Sequence, residues 1–309
     1  MRYLPTKGYF KRIRIYFSEM YPLPARLVAA VLLNLSFLSF LERIHGVRTM
    51  IFSGTTVTGT VSIFTLLLIL RLMDELKDKE IDRELFRQRP LPSGKIFELD
   101  IWFTLTLIIV LYITVNLLIG NVVWMALAVL GYIFMMFRYF FIPRILRQHL
   151  LFNLATHNPV IPIMLLYLVM LFSTNHQLAW GNIRWGSVLL LIIMYWSMSF
   201  AWEISRKIRS AEEENAYVTY SRIFGRIGAV LIAGGAQTIA FVLGLYFYRA
   251  LSFSNLFLVI LSLGYLLTMW GHVRFILRPD PVTSKLKPFA ERYMLSVFIA
   301  RIVQYALFA

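Results

Sequence analysis

Cysteine is absent from the 309 residues, which excludes disulfides and thiolate metal sites and says nothing of compartment. Charge is also scarce. Asp, Glu, Lys and Arg make up 15% of the chain, against about a quarter in soluble domains. Hydrophobic residues make up 59% and the mean hydropathy is +0.69, more apolar surface than a water-soluble fold can cover. Glycine-rich nucleotide loops, dinucleotide fingerprints, zinc motifs and catalytic triads are all missing. The first 20 residues are basic and lack a long apolar core, so no cleavable signal is expected and the first span serves as an uncleaved one.

What is present is apolar sequence in long blocks. A spanning helix needs about 20 mostly apolar residues, and nine runs meet this: roughly 24–41, 51–71, 100–119, 121–141, 150–172, 185–202, 226–248, 252–271 and 289–308. The runs are too long and too continuously apolar for barrel strands. The expected fold is therefore all-α, a polytopic membrane bundle of about nine transmembrane helices, read as a single membrane domain over 1–309. Residues 1–23 form a basic N-terminal segment that either lies on anionic lipid as an amphipathic helix or stays a tail.

The net charge of +15 falls between the spans and orients them, rather than marking a nucleic-acid partner. With the N-terminus in the cytoplasm, 26 of the 31 Lys and Arg residues lie on the inner side; Arg43, Arg48, Arg184 and Arg249 lie outside, and Arg301 lies in the last span. The expectation is a multi-pass protein of the cell membrane with its C-terminus outside and membrane lipid as its surroundings. Of 16 acidic residues, eight lie between Asp74 and Asp100 and four between Glu203 and Glu214. Charge-bias rules do not require acids on the inner side, so the two clusters mark candidate cap regions at 72–99 and 203–225. Their spacing suggests two related four-helix halves plus a ninth helix.

After the second run the chain reads RLMDELKDKEIDRELFRQRPLPSGK. Asp74, Asp78 and Asp82 recur every four residues, so on one continuous helix they share a face. Their mutual repulsion is relieved by a divalent cation, and magnesium favours one or two carboxylates plus phosphate oxygens. Glu75 adds a further oxygen ligand. The bland alternative is a solvated, salt-bridged charge run. Pro90 and Pro92 then stop the helix and Gly94 permits a tight return, which lets Arg87, Arg89 and Lys95 face phosphate.

This stretch resembles the UbiA superfamily of intramembrane prenyltransferases. That family has an Asn-Asp-x-x-Asp-x-x-x-Asp motif followed by an Arg-Pro-Leu-Pro-Ser-Gly-like turn; here the matching positions are Asp74, Glu75, Asp78 and Asp82, then Arg89 to Gly94. Asp replaces Asn and Glu replaces Asp at the first two positions, and both keep oxygen ligands. The resemblance implies a helical barrel open to lipid and two acidic motifs holding Mg2+ on a polyprenyl diphosphate. Asp74, Glu75, Asp78 and Asp82 are then both catalytic and metal-binding, with the active site at the cytoplasmic face.

The family's second motif is Asp-x-x-x-Asp, in the place where this chain reads FAWEISRKIRSAEEENAYVTYSRIFG. Glu203 stands at the first position, but Lys207 reverses the charge at the second. Lys207, with Arg206 and Arg209, either replaces a metal ion as a phosphate clamp or marks a changed substrate. Glu212 to Glu214 do not match the motif spacing and read as a solvated acidic loop. Arg138, Arg144 and Arg147, after the fourth run, either touch diphosphate or serve as orienting loop charge.

Smaller signals lie inside the spans. Thr156 to Pro162 reads THNPVIP, and its two prolines kink the fifth span. His157 there reads as a satisfied interhelical hydrogen bond, and Asn158 as a lining residue of an acceptor pocket. Asn34 reads as a helix–helix hydrogen bond, and Arg301 as a residue that snorkels or pairs internally. The expected function is magnesium-dependent transfer of a polyprenyl group from a prenyl diphosphate to an unidentified small-molecule or lipid acceptor. Two alternatives remain. One is a UbiA-type terpene cyclase, or a transferase using another phosphorylated donor. The other is a non-enzymatic transporter, which the placement of nearly all acids at one mouth of the spans disfavours.

Overall fold

The computed structural model describes residues 8–46, 53–214 and 218–308. Among these the chain is helical throughout, with turns between helices and no strand. The helices are α1 (Tyr9–Met20), α2 (Leu23–His45), α3 (Gly54–Lys77), α4 (Lys79–Leu85), α5 (Glu98–Leu117), α6 (Val123–Phe137) and α7 (Pro143–Gln148). They continue as α8 (Leu150–His157), α9 (Val160–Asn175), α10 (Trp185–Ser205), α11 (Tyr220–Ala250), α12 (Asn255–Leu277) and α13 (Lys287–Phe308).

Seven of these are long and apolar enough to cross a membrane: α2, α3, α5, the α8–α9 pair taken as Leu150–Asn175, α10, α11 and α12. Their outer faces carry bare apolar side chains. On α5 alone, Trp102, Phe103, Leu107, Val110 and Leu111 are exposed. Such a face suits lipid and not water, and the chain is a multi-pass membrane protein.

The fourth expected span is the shortest. Its helix, α6, has 15 residues, about 22 Å at 1.5 Å per residue, below a hydrocarbon core of roughly 30 Å. It stops because the backbone turns left-handed at Tyr139, Phe140 and Phe141, with φ of 51°, 49° and 61°. The ninth is a helix of 22 residues, α13, that carries Lys287, Glu291, Arg292 and Arg301. The fifth breaks between His157 and Val160, where Asn158 precedes Pro159. Asn158 keeps helical angles, φ −67° and ψ −31°, but Pro159 has no N–H to give to the turn before it.

The chain divides into two compact units. The first comprises the described residues of 1–34, 52–160 and 174–176. Here α3 packs on α5, and Asn116 Nδ2 of α5 donates to Ser62 Oγ of α3 at 3.0 Å. Asn34 Nδ2 donates to Thr56 O and Thr60 Oγ1 at 3.0 Å each, so it acts as the helix–helix bond the sequence suggested. Gly59 permits that approach, because a Cβ there would stand 2.8 Å from Asn34 Oδ1.

The second unit comprises the described residues of 35–51, 161–173 and 177–309, with α10 to α13 as its frame. Arg301 is buried there and partnered internally. Its guanidinium donates to Ser39 O and lies 4.9 Å from the Phe253 ring centroid and 5.4 Å from that of Phe40. A cation held by a carbonyl and aromatic faces is a tolerable solution at membrane depth.

Candidate functional site

The first acidic cluster sits where a spanning helix ends. α3 closes at Lys77, and Asp78 takes φ −97° and ψ 7°, bridging to the short helix α4. The backbone ladder persists through the junction, with Asp78 N donating to Asp74 O and Asp82 N to Asp78 O, both at 2.9 Å. The three aspartates expected on one face differ in exposure. Asp74 is exposed, Asp78 is half-buried and Asp82 is buried.

Glu75 is the most enclosed member, at 1% exposure. Its Oε2 accepts from Arg71 Nη2 at 2.7 Å, one helical turn earlier, and its Oε1 has no hydrogen-bond partner among the described residues. Asp82 accepts from Arg89 Nη1 through both oxygens at 2.7 Å, and the Arg89 guanidinium lies 4.2 Å from the Phe86 ring centroid. The Arg-Pro-Leu-Pro-Ser-Gly turn holds Arg89 there. Ser93 N donates to Arg89 O and Lys95 N to Pro90 O, each at 3.0 Å, with Gly94 at φ +75° where a side chain would strain.

The N-terminal segment docks on this cluster as the helix α1. Arg12 grips Asp100 with Nη2 and Nε at 2.6 and 2.7 Å, and Tyr9 pairs its hydroxyl with Thr104 at 2.8 Å. Tyr16 is fully buried beside Arg71, Glu75 and Asp74. Burial pushes its phenol well above the ordinary range, Arg71 opposes this, and the two carboxylates add to it. Lys95 pairs with Glu19 of α1 at 2.7 Å. Arg71 and Tyr16 are absent from the residues that the motif marks. Arg71 had a visible signal, since it stands four residues before Glu75; Tyr16 had none.

A second polar group gathers around the end of α3. Lys77 Nζ lies 2.8 Å from His157 Nε2, 3.1 Å from Met136 O and 3.9 Å from the Tyr139 ring centroid. His157 thus makes the interhelical hydrogen bond expected of it. Asn158 is half-buried at the end of α8, and Arg144 is exposed on α7. The side chain of Arg147 lies outside the described residues.

The second acidic cluster, in the other unit, is internally neutralised. Glu203 receives Arg206 Nε at 2.5 Å and lies 3.7 Å from Lys207 Nζ. Arg206 stacks over Trp202, and Lys207 lies 5.7 Å from the Tyr220 ring centroid. The following acids differ from a uniformly solvated loop. Glu212 is exposed, but Glu213 accepts from Ser284 Oγ at 2.5 Å and from Ser210 N at 3.2 Å. Glu214 accepts from Thr219 and Ser221 hydroxyls at 2.6 and 2.8 Å. Burial raises the Glu213 carboxyl, and the bonds from Ser284 and Ser210 outweigh this, leaving it below the usual carboxylate range.

No family model and no curated protein matches the chain. Solved structures do. One, from work on digeranylgeranylglyceryl phosphate synthase in membranes, aligns with TM-score 0.64 and 15% identity over 96% of this chain and 99% of the other. Another, the apo structure of a UbiA homolog from Aeropyrum pernix K1, aligns with TM-score 0.67 and 13% identity over 90% of this chain and 98% of the other. The chain has a UbiA-type fold. That UbiA-type fold extends over nearly the whole chain, in keeping with the resemblance carried by the motif from Asp74 to Gly94.

Among the described residues no three His, Asp or Glu side chains converge as a ready-made metal site. The donor chemistry nevertheless fits magnesium. Glu75 Oε1 is a buried carboxylate oxygen without a partner, and Asp78 stands one turn on. Magnesium commonly takes one or two carboxylates and completes its shell with water and phosphate oxygens.

Proposed function

We propose that this chain transfers a prenyl group from a prenyl diphosphate to an acceptor within the membrane, with Mg2+ on the Asp74–Asp82 stretch. The observation that carries the reading is Glu75. A carboxylate this buried is costly, and half of it is left unsatisfied at the end of a spanning helix. The motif and its proline turn, on a UbiA-type fold, give that oxygen a purpose. Basic-residue bias puts this junction on the cytoplasmic side.

Asp74, Glu75 and Asp78 would hold the metal, and Asp82 would support them through Arg89. Bound magnesium neutralises charge on a leaving diphosphate. Arg71, one turn earlier, fixes the direction of the Glu75 carboxylate. Arg89, tied to Asp82 and stacked on Phe86, stands ready beside the same oxygens as a fixed cation. Leu72, Met73 and Leu76, neighbours of Glu75 along α3, are buried, and such apolar surroundings would limit water on that side. In the reaction the allylic carbon–oxygen bond breaks, diphosphate departs with the electron pair, and the acceptor bonds to that carbon and loses a proton. Glu203 is shared between Arg206 and Lys207, which supports reading those two cations as a phosphate clamp in place of a second metal.

The test is turnover of purified protein with prenyl diphosphates of several lengths and candidate acceptors, with chelator and with magnesium restored. The reading requires prenylated product that disappears in Asp78→Ala and in chelator. Full turnover in either condition contradicts it.

A further inference from the structure

We propose that the interior of α10–α13 binds a neutral, hydroxyl-bearing small molecule through Gln237, His272 and Tyr293. This binding needs no diphosphate, so it stands or falls apart from the transferase reading above.

Four helices of the second unit close a ring: α10 packs on α11, α11 on α12, α12 on α13 and α13 back on α10. Three of them carry a polar side chain that is enclosed and unanswered. Gln237 of α11 and Tyr293 of α13 are 0% exposed, and His272 of α12 is 3% exposed. Both amide atoms of Gln237, both ring nitrogens of His272 and the Tyr293 hydroxyl have no hydrogen-bond partner among the described residues. Ser205 Oγ, buried at the last residue of α10, has none either. Most buried polar atoms are paired, because leaving one dry at such depth is costly. Unpaired atoms on four adjoining helices point to a ligand.

The register of the helices brings three of these side chains together. At about 100° per residue, Gly234, Gln237, Thr238 and Phe241 share one face of α11, and Tyr265, Thr268 and His272 share one face of α12. These faces meet. Tyr265 stacks on Phe241 with ring centroids 4.2 Å apart, and its hydroxyl lies 2.9 Å from Thr238 Oγ1. A Cβ on Gly234 would stand 3.3 Å from His272 Nδ1, so glycine lets the imidazole lie against α11, one turn from Gln237. Tyr293 joins from α13, its ring centroid 6.2 Å from that of Tyr265. The other polar groups here are already engaged. Thr238 donates to Gly234 O at 2.9 Å, which makes Tyr265 the donor to Thr238, and Thr268 donates to Gly264 O at 2.9 Å. The open bonding capacity is that of Gln237, His272 and Tyr293.

Their chemistry names the class of ligand. A neutral imidazole offers one donor and one acceptor, and the amide and the phenol each offer both. No charged side chain is buried on α11 or α12. A phosphate, carboxylate or ammonium would meet no buried counter-charge on those helices, whereas a hydroxyl gives and accepts a bond at once. Phe241, Tyr265 and Tyr293 supply aromatic surface beside the polar atoms, which suits a hydroxyl on an apolar or aromatic skeleton.

The test uses the full chain in lipid nanodiscs, with its histidines isotope-labelled at the ring nitrogens, and benzyl alcohol as probe. Ethylbenzene, with a methyl group in place of the hydroxyl, is the control. The His272 nitrogens, assigned by their loss in His272→Phe, are read by NMR. Benzyl alcohol is expected to shift them saturably, and ethylbenzene to leave them in place. Gln237→Leu and Tyr293→Phe are each expected to weaken benzyl alcohol binding about two- to tenfold, the scale of one neutral hydrogen bond. The comparison of alcohol with hydrocarbon is made on wild type, so it decides even where a variant misfolds. Equal shifts from both compounds, no shift from either, or full affinity in both folded variants would overturn the proposal. So would His272 nitrogens bonded to internal water that benzyl alcohol does not displace.

Discussion

Replacing Arg71 by methionine leaves the Glu75 carboxylate buried at 1% exposure without the ion pair that holds its Oε2. Breaking a buried pair by removing one partner costs about 3–5 kcal/mol when both groups are enclosed. Arg71 is 26% exposed, so water reaches part of the site and the expected loss falls to ~2 kcal/mol. The neutral double variant Arg71→Met/Glu75→Gln leaves no uncompensated charge and should be more stable than Arg71→Met alone. Thermal unfolding in detergent reads all three proteins, and the single variant should melt several degrees lower. Adding Mg2+ with pyrophosphate should stabilise Arg71→Met more than wild type, because the freed carboxylate gains a cation. The reasoning is refuted if the double variant is no more stable than the single one, since Glu75 would then not depend on Arg71 for its charge balance.

Three further outcomes follow from other parts of the molecule. Arg12→Ala removes the two-pronged grip on Asp100 and should expose α1 to limited proteolysis; digestion equal to wild type would show that the pair does not hold the segment. Gly264→Ala puts a Cβ about 2.0 Å from Ser296 Oγ, so it should destabilise by roughly 1–3 kcal/mol through overpacking, and Gly264→Ala/Ser296→Ala should recover part of this in thermal melts. Glu213 has a folded pKa below its unfolded one, so its stabilisation is present above the unfolded value and is lost as pH falls through the folded value. Melts from neutral to acid pH should show Glu213→Gln less stable than wild type at pH 7, with the gap closing in the carboxylate range.

The spans were legible because apolar runs of that length leave few alternatives. The break in the fifth span was legible too, since Pro159 and Pro162 forbid a straight helix. The early end of α6 was not, because nothing local in Tyr139 to Phe141 announces positive φ; tertiary packing against His157 and Lys77 imposes it. The basic N-terminal sequence fits a lipid-bound helix or a tail equally, and it hides the docking because Arg12 finds Asp100 88 residues away. The carboxylates of the first motif were found by spacing alone. Their division into an exposed Asp74 and enclosed Glu75 and Asp82 depends on what packs over each one, which spacing does not carry. The bonds that occupy Glu213 and Glu214 come from serines and a threonine that no charge pattern reveals.

The most direct test of the central claim is a structure of the protein with Mn2+ in place of Mg2+ and a prenyl diphosphate analogue, read by anomalous scattering. The account predicts a metal peak on Glu75 Oε1 shared with Asp78 or Asp74 and with diphosphate oxygens, within direct coordination distance. A bound diphosphate with its metal elsewhere, and Glu75 Oε1 still without a ligand, would contradict it.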